Sequence, residues 1–236
     1  MIHTLAETGS TNADLLARLR SGDLVREGDW LVADRQVAGK GRQGRAWSDG
    51  AGNFMGSSVV HLNPRDPNPS SLALVAGLAL YEATATLLQN PAAAQLKWPN
   101  DLLLNNAKAA GILLEREGQA VVIGIGVNLA QAPKLPDRPT VALSDLGPAP
   151  DRDIFADSLA AHFDAELERW RSYGLDPIIR RWCAAAHPAG TKLTVHEPGG
   201  NMVTGTFESL AQDGSLQLRL ADGAVRAIHA GDVNLA

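Results

Sequence analysis

Residues 95–128 read QLKWPNDLLLNNAKAAGILLEREGQAVVIGIGVN, and the fold turns on how this stretch is read. Gln95 to Trp98 and Leu102 to Leu104 are short apolar runs, Asn105-Asn106 is a turn pair, and two longer runs, Lys108 to Arg116 and Gln119 to Val127, are divided by Gly118. Runs this short, separated by turn residues, predict a meander of antiparallel strands. Gly124 and Gly126 lie inside the last run. Glycine there marks the close approach of a ligand or another backbone, and equally fits a bulge.

Upstream, Ile2 to Thr8 predicts a strand, and Ser10 and Thr11 offer N-caps to a helix with Leu15, Leu16 and Leu19 on one face. Trp30 to Asp34 and Phe54 to Val60 predict further strands, and Leu72 to Leu88, apolar nearly all round, predicts a buried central helix. Downstream, Phe155, Leu159, Phe163, Leu167 and Trp170 recur at helical spacing within Asp153 to Arg171, and a second helix is expected over Asp176 to Ala185. His187, Pro188 and Gly190 mark a boundary, after which Thr191 to Ala236 alternates apolar and polar residues between glycine turns, as a small β barrel does. The expectation is an α+β fold: a mixed, largely antiparallel sheet with packed helices over residues 1–188, then a β domain over 189–236.

Composition narrows the function. The chain has 236 residues, 45% hydrophobic and 20% charged, with a formal net charge of −5. A negative total repels phosphate backbones, so no nucleic-acid partner is expected and any anion site must rest on a local cluster of cations. No apolar run approaches the roughly 20 residues that span a bilayer. One cysteine, Cys183, cannot form an internal disulfide, and the first residues carry no signal-type segment, so the expected compartment is the cytoplasm.

The cations do cluster. Gly39-Lys40-Gly41-Arg42-Gln43-Gly44-Arg45 puts three cations and three glycines in seven residues after a strand. Glycine lets backbone N–H groups turn toward bound oxygens, and arginine offers a planar fork to phosphate or carboxylate. A solvated surface turn has the same composition. No helix signal follows the loop, which argues against a dinucleotide fold, and Gly39-Lys40 is followed by Gly41, not Ser or Thr, which excludes a P-loop. In Lys97-Trp98-Pro99-Asn100-Asp101, proline fixes a turn that holds a cation, an amide and a carboxylate at one strand end. Asn100 is suited to a purine edge, and Asp101 to Mg²⁺ or to orienting a cation; a plain turn is the bland alternative. Lys108 opens a buried strand, where a lysine also simply snorkels to solvent.

Four blocks, Ser10-Thr11-Asn12, QVAGKGRQGRAW (36–47), KWPNDL (97–102) and KAAGILL (108–114), resemble the biotin protein ligase family in its order, over nearly the whole chain. Departures are Lys40 where arginine is usual, Ala109 where leucine is usual, and Glu208-Ser209-Leu210 in the tail. The resemblance implies a class II synthetase-like catalytic domain with an SH3-like tail. It implies ATP-dependent formation of biotinyl-5′-AMP and transfer of biotin to a lysine of a biotin carboxyl carrier protein, with Mg²⁺ and as monomer or homodimer. By the same resemblance Ser10, Thr11, Asn12, Gln36, Lys40, Gly41, Arg42 and Lys108 bind biotin, and Arg42, Arg45, Trp47, Lys97, Asn100 and Asn128 bind ATP. Lys108, Arg42 and Asp101 are the expected catalytic residues, with Asp101 also the candidate metal ligand. Only nine residues precede Ser10, so a ligase without the DNA-binding domain of repressor-type members is expected.

Overall fold

A computed structural model describes residues 1–235. Among them, seven strands form the larger sheet: β1 (Ile2–Leu5), β2 (Trp30–Ala33), β3 (Phe54–His61), β4 (Ala94–Lys97), β5 (Asp101–Leu104), β6 (Ala107–Glu117) and β7 (Ala120–Val127). Their order is β1-β2-β3-β7-β6-β5-β4. Only the β1–β2 pairing is parallel; from β2 to β4 every neighbour is antiparallel. The expected meander is therefore β4 to β7, and the mixed, largely antiparallel sheet is as the sequence predicts.

Strand alternation gives this sheet two unlike faces. On one, Phe54, Val60, Ile112, Val121, Ile123, Ile125 and Val127 join the main core. This face is covered by α2 (Leu72–Ala85), α3 (Arg152–Tyr173) and α4 (Leu175–Ala185). Trp30 meets Phe163 edge-on with centroids 5.6 Å apart, tying β2 to α3. On the other face, Leu31, Val59 and Val122 pack under Leu15 and Leu16 of α1 (Thr11–Ser21). The same face also carries Ser57, Gly111, Gly124 and Gly126, small residues that leave room above the sheet near the start of α1.

Some expected boundaries shift. The first strand stops at Leu5 and not at Thr8, and the parallel pairing resumes only in an isolated bridge between Thr8 and Gln36. The central helix stops at Ala85, three residues short of Leu88, where Thr86 Oγ1 donates to the Ala83 carbonyl. The remaining five strands, β8 (Lys192–His196), β9 (Met202–Leu210), β10 (Leu216–Arg219), β11 (Val225–Ile228) and β12 (Asp232–Leu235), form an antiparallel sheet in the order β11-β10-β9-β8-β12. Trp98 Nε1 donates to the Gly214 carbonyl at 3.1 Å, fastening this sheet to the turn after β4.

Candidate active site

This part of the sheet face becomes the floor of a cavity of about 370 Å³. Its small residues are required by what stands over them. A Cβ at Gly126 would overlap the Trp47 indole, one at Gly124 would overlap the Asn12 amide, and one at Gly111 would lie 3.2 Å from Lys108 Nζ. Gly124 and Gly126 thus mark close approach, here of the Asn12 and Trp47 side chains, and β7 pairs through them without the bulge that was the alternative.

One end of the cavity is neutral. Ser10 caps α1, and the helix start presents Thr11 and Asn12 to the sheet. Thr11 N donates to Gln36 Oε1 at 2.7 Å, Thr11 Oγ1 lies 2.6 Å from Ser57 Oγ, and Ser57 Oγ donates to Asn12 Oδ1 at 2.6 Å. All four residues are buried.

The other end is cationic. The loop after β2 folds on itself through Gly41 N to the Arg45 carbonyl at 2.7 Å and Trp47 N to the Gly39 carbonyl at 2.9 Å, with Gln43 (φ 57°) and Gly44 (φ 73°) in the left-handed region. Arg42 Nη1 donates to Asn100 Oδ1 at 3.1 Å and Nη2 to the Gly231 carbonyl at 3.2 Å, while Arg45 Nη2 meets Asp232 Oδ2 at 2.5 Å. The β8–β12 sheet thereby anchors the loop.

Beneath the loop, the turn from β4 to β5, which contains a cis Trp98–Pro99 peptide, brings Lys97 and Asp101 into register. A register shift beyond Leu102 brings Lys108 to the same point. Lys108 Nζ reaches Asp101 Oδ1 at 2.5 Å and Lys97 Nζ reaches Asp101 Oδ2 at 3.1 Å. Burial pushes the Asp101 carboxyl up, but the Lys108 and Lys97 ammoniums together outweigh it and hold it below the usual carboxylate range. Burial lowers the Lys108 ammonium, against the pull of Asp101.

Ser10, Thr11, Asn12, Gln36, Lys40, Gly41, Arg42, Arg45, Trp47, Asn100, Asp101, Lys108 and Asn128 all line this cavity. Lys97 does not: its ammonium lies behind Asp101 and donates to the Val233 carbonyl at 3.0 Å. Asn128 Nδ2 donates to the Val141 carbonyl at 3.2 Å, so its amide also secures the following loop. Asp101 is a poor metal ligand, since both of its oxygens are engaged by ammoniums. Among the described residues no group of three His, Cys, Asp or Glu is placed to hold a cation.

Sequence reasoning missed the loop after β7. Leu135, Asp137, Arg138 and Thr140 line the cavity, and Lys108 N donates to the Pro139 carbonyl at 2.9 Å. Pro133, Pro136 and Pro139 alternating with Lys134 and Arg138 were the available signal. Asp232, from the far end of the chain, was missed as well. In all, among the described residues, five lining cations face three lining carboxylates, a positive site in a chain of net charge −5.

Comparison with known proteins agrees with this architecture. Residues 7–128 match the model of the biotin/lipoate A/B protein ligase family, and residues 193–235 match that of the biotin protein ligase C terminal domain. A Mycobacterium tuberculosis protein named biotin--[acetyl-CoA-carboxylase] ligase is 38% identical over 98% of this chain and 88% of its own. A protein of the same name from Paracoccus denitrificans is 39% identical over 91% of this chain and 92% of its own. The biotin protein ligase of Aquifex aeolicus, solved in complex with biotin and ATP, shares the fold with a TM-score of 0.86 at 24% identity, covering 100% of this chain and 99% of that one. By sequence across both of its parts, and by the fold that carries the cavity, this chain belongs to the biotin protein ligase family.

Proposed function

We propose that the protein activates biotin with ATP and transfers it to a lysine of a biotin carboxyl carrier protein. The observation that carries this reading is one cavity with a neutral hydrogen-bonding end, a cationic end and Lys108 among its lining residues. A neutral ureido ring suits the first end; a carboxylate and a triphosphate suit the second.

In the first step a biotin carboxylate oxygen bonds to the α-phosphorus while the bond from that phosphorus to the diphosphate oxygen breaks. Two anions approach, so positive charge fixed in advance lowers the barrier most. Lys108 supplies it beside the reacting atoms, and Asp101 holds Lys108 in place. Arg42 and Arg45 take the phosphates, and Lys40 and Gly41 flank the valeryl carboxylate. Trp47, Asn100 and Asn128 lie toward the nucleotide. Lys97 supports Asp101 from behind and is withdrawn from the nucleotide contacts. In the second step the carrier amine attacks the acyl carbon, AMP leaves with the bonding electron pair, and the amine loses a proton.

Magnesium belongs to this proposal as the ion that arrives on the ATP phosphates, since the residues around Asp101 do not fit one. The reading carries with it a cytoplasmic setting, supported by the lone Cys183, and a division near residue 188 into a site-bearing part and a small β part. The test is exchange of labelled diphosphate into ATP, run with biotin and, separately, with lipoate. Exchange with biotin alone supports the proposal. Exchange with lipoate alone, or with neither, overturns it.

A further inference from the structure

Glu115 stands on β6, on the same face as the cavity floor but outside the cavity lining. Its Oε2 accepts a hydrogen bond from Asn12 Nδ2 at 2.8 Å. A carboxylate accepts only, so this contact decides which way round the Asn12 amide lies: Nδ2 toward Glu115, Oδ1 toward Ser57.

The decision propagates. With Oδ1 facing it at 2.6 Å, Ser57 must donate its proton to Asn12. Ser57 and Thr11 hydroxyl oxygens are 2.6 Å apart, a distance that requires a proton between them. Ser57 has given its own, so Thr11 donates to Ser57, the nearer of its two acceptors, Gln36 Oε1 being 3.1 Å away. The Thr11 hydroxyl is then left with lone pairs, and Gln36, whose Oε1 accepts from Thr11 N at 2.7 Å, is left with its Nε2 donor. An acceptor beside a donor matches a cyclic urea, which offers N–H groups and a carbonyl side by side.

We infer that Glu115 is a positioning residue that sets the donor and acceptor directions of the ureido-binding end through Asn12, Ser57 and Thr11. The inference rests on the biotin-ligase reading above. Beyond Glu115 the chain is buried, with Ser57 and Thr11 at 0% and 2% exposure, so water cannot substitute for a misdirected hydroxyl.

Glu115→Lys reverses the chain. A donor at 115 turns the Asn12 oxygen outward, Asn12 Nδ2 then donates to Ser57, Ser57 donates to Thr11, and the Thr11 proton turns away from Ser57 toward Gln36 Oε1 and the ligand. Glu115→Gln retains an acceptor oxygen and with it the original direction. Biotin titrations and steady-state diphosphate exchange on the full chain read the difference. In Glu115→Lys the Kd and KM for biotin should rise about tenfold or more, the loss that follows when a hydrogen-bonding site is left mismatched. The KM for ATP and the kcat at saturating biotin should stay within about twofold of wild type, and Glu115→Gln should bring the biotin KM back to within about threefold. If Glu115→Lys does not fold, Glu115→Leu takes its place, since it frees Asn12 to turn without adding charge.

A biotin KM unchanged in the folded Lys or Leu variant overturns the inference, and so does a fall in kcat or a rise in ATP KM equal to the change in biotin KM. Failure of the Gln variant to recover also overturns it. Wild-type protein that shows no biotin-dependent exchange sinks the functional reading itself, an outcome separate from any result on the variants.

Discussion

Asp101, Lys97 and Lys108 stand on strands with side chains 8%, 16% and 19% exposed, whereas Arg42 and Arg45 stand on a loop at 26% and 37% and are anchored by Asp232 at 33%. Both groups place cations at the same cavity or, for Lys97, just behind its wall, but they are held by different physics. The strand group is fixed by sheet register and buried ion pairing, where the interaction is weakly screened. The loop group depends on a carboxylate nearly 190 residues away in sequence, through contacts that water and salt reach. The sheet fixes its charges through register, and the loop holds its own through a tether.

If that contrast is right, Lys108→Ala has the largest effect. Adenylation should fall about 10²- to 10³-fold in kcat with the fold retained, as when a group that stabilises developing charge is removed. Single-turnover formation of biotinyl-AMP measures it, and near-normal turnover would remove Lys108 from the mechanism.

Next is Asp101→Asn, which leaves two nearly buried ammoniums facing a neutral amide. Breaking a buried pair costs about 3 kcal/mol, discounted somewhat here because both lysines retain some solvent contact. Urea unfolding at neutral pH reads the loss. The pH dependence follows from the same pair. The folded Asp101 carboxyl lies below its usual value, so its stabilisation is complete above the unfolded pKa and is lost as pH falls through the folded one. Wild-type stability should therefore drop additionally below about pH 4, and Asp101→Asn should lack that part of the drop.

Arg42→Gly acts on the loop side. It removes the contacts to Asn100 and Gly231 at once. Released biotinyl-AMP should increase about tenfold with little change in melting temperature, since a loop that excludes water governs retention more than stability. Adenylate release at wild-type levels would dissociate the loop from retention.

Asp232→Asn should be the mildest. Exposed ion pairs contribute about 0 to 1 kcal/mol, so stability should hardly change and the KM for ATP should rise no more than about fivefold. The rise should shrink as salt is added, because screening already weakens the wild-type contact. An effect as large as that of Lys108→Ala would erase the distinction between the two groups.

How much of this was legible beforehand differs by element. The meander over 95–127 could be read because each strand is a short apolar run and each turn carries its own Asn or Gly. The four motif blocks could be read because local spacing preserves them, and the cavity gathers all but Lys97 of the residues they supplied. The role of Lys97 could not: nothing in KWPND says that the β12 backbone will arrive to accept from it. The proline loop at 133–140 gives no such signal, because an irregular segment has no period to detect.

The sequence by itself determined which residues alternate, where strands turn, and that four polar blocks recur in the order of one family, since these are properties of neighbours along the chain. Only the tertiary structure decided that Gly111, Gly124 and Gly126 share the cavity's face, that Glu115 directs an amide a hundred residues away, and that Asp232 holds the arginines. Those follow from strand register and from the docking of one sheet on another. Such pairings are fixed by the burial of the whole core, and no local stretch encodes them.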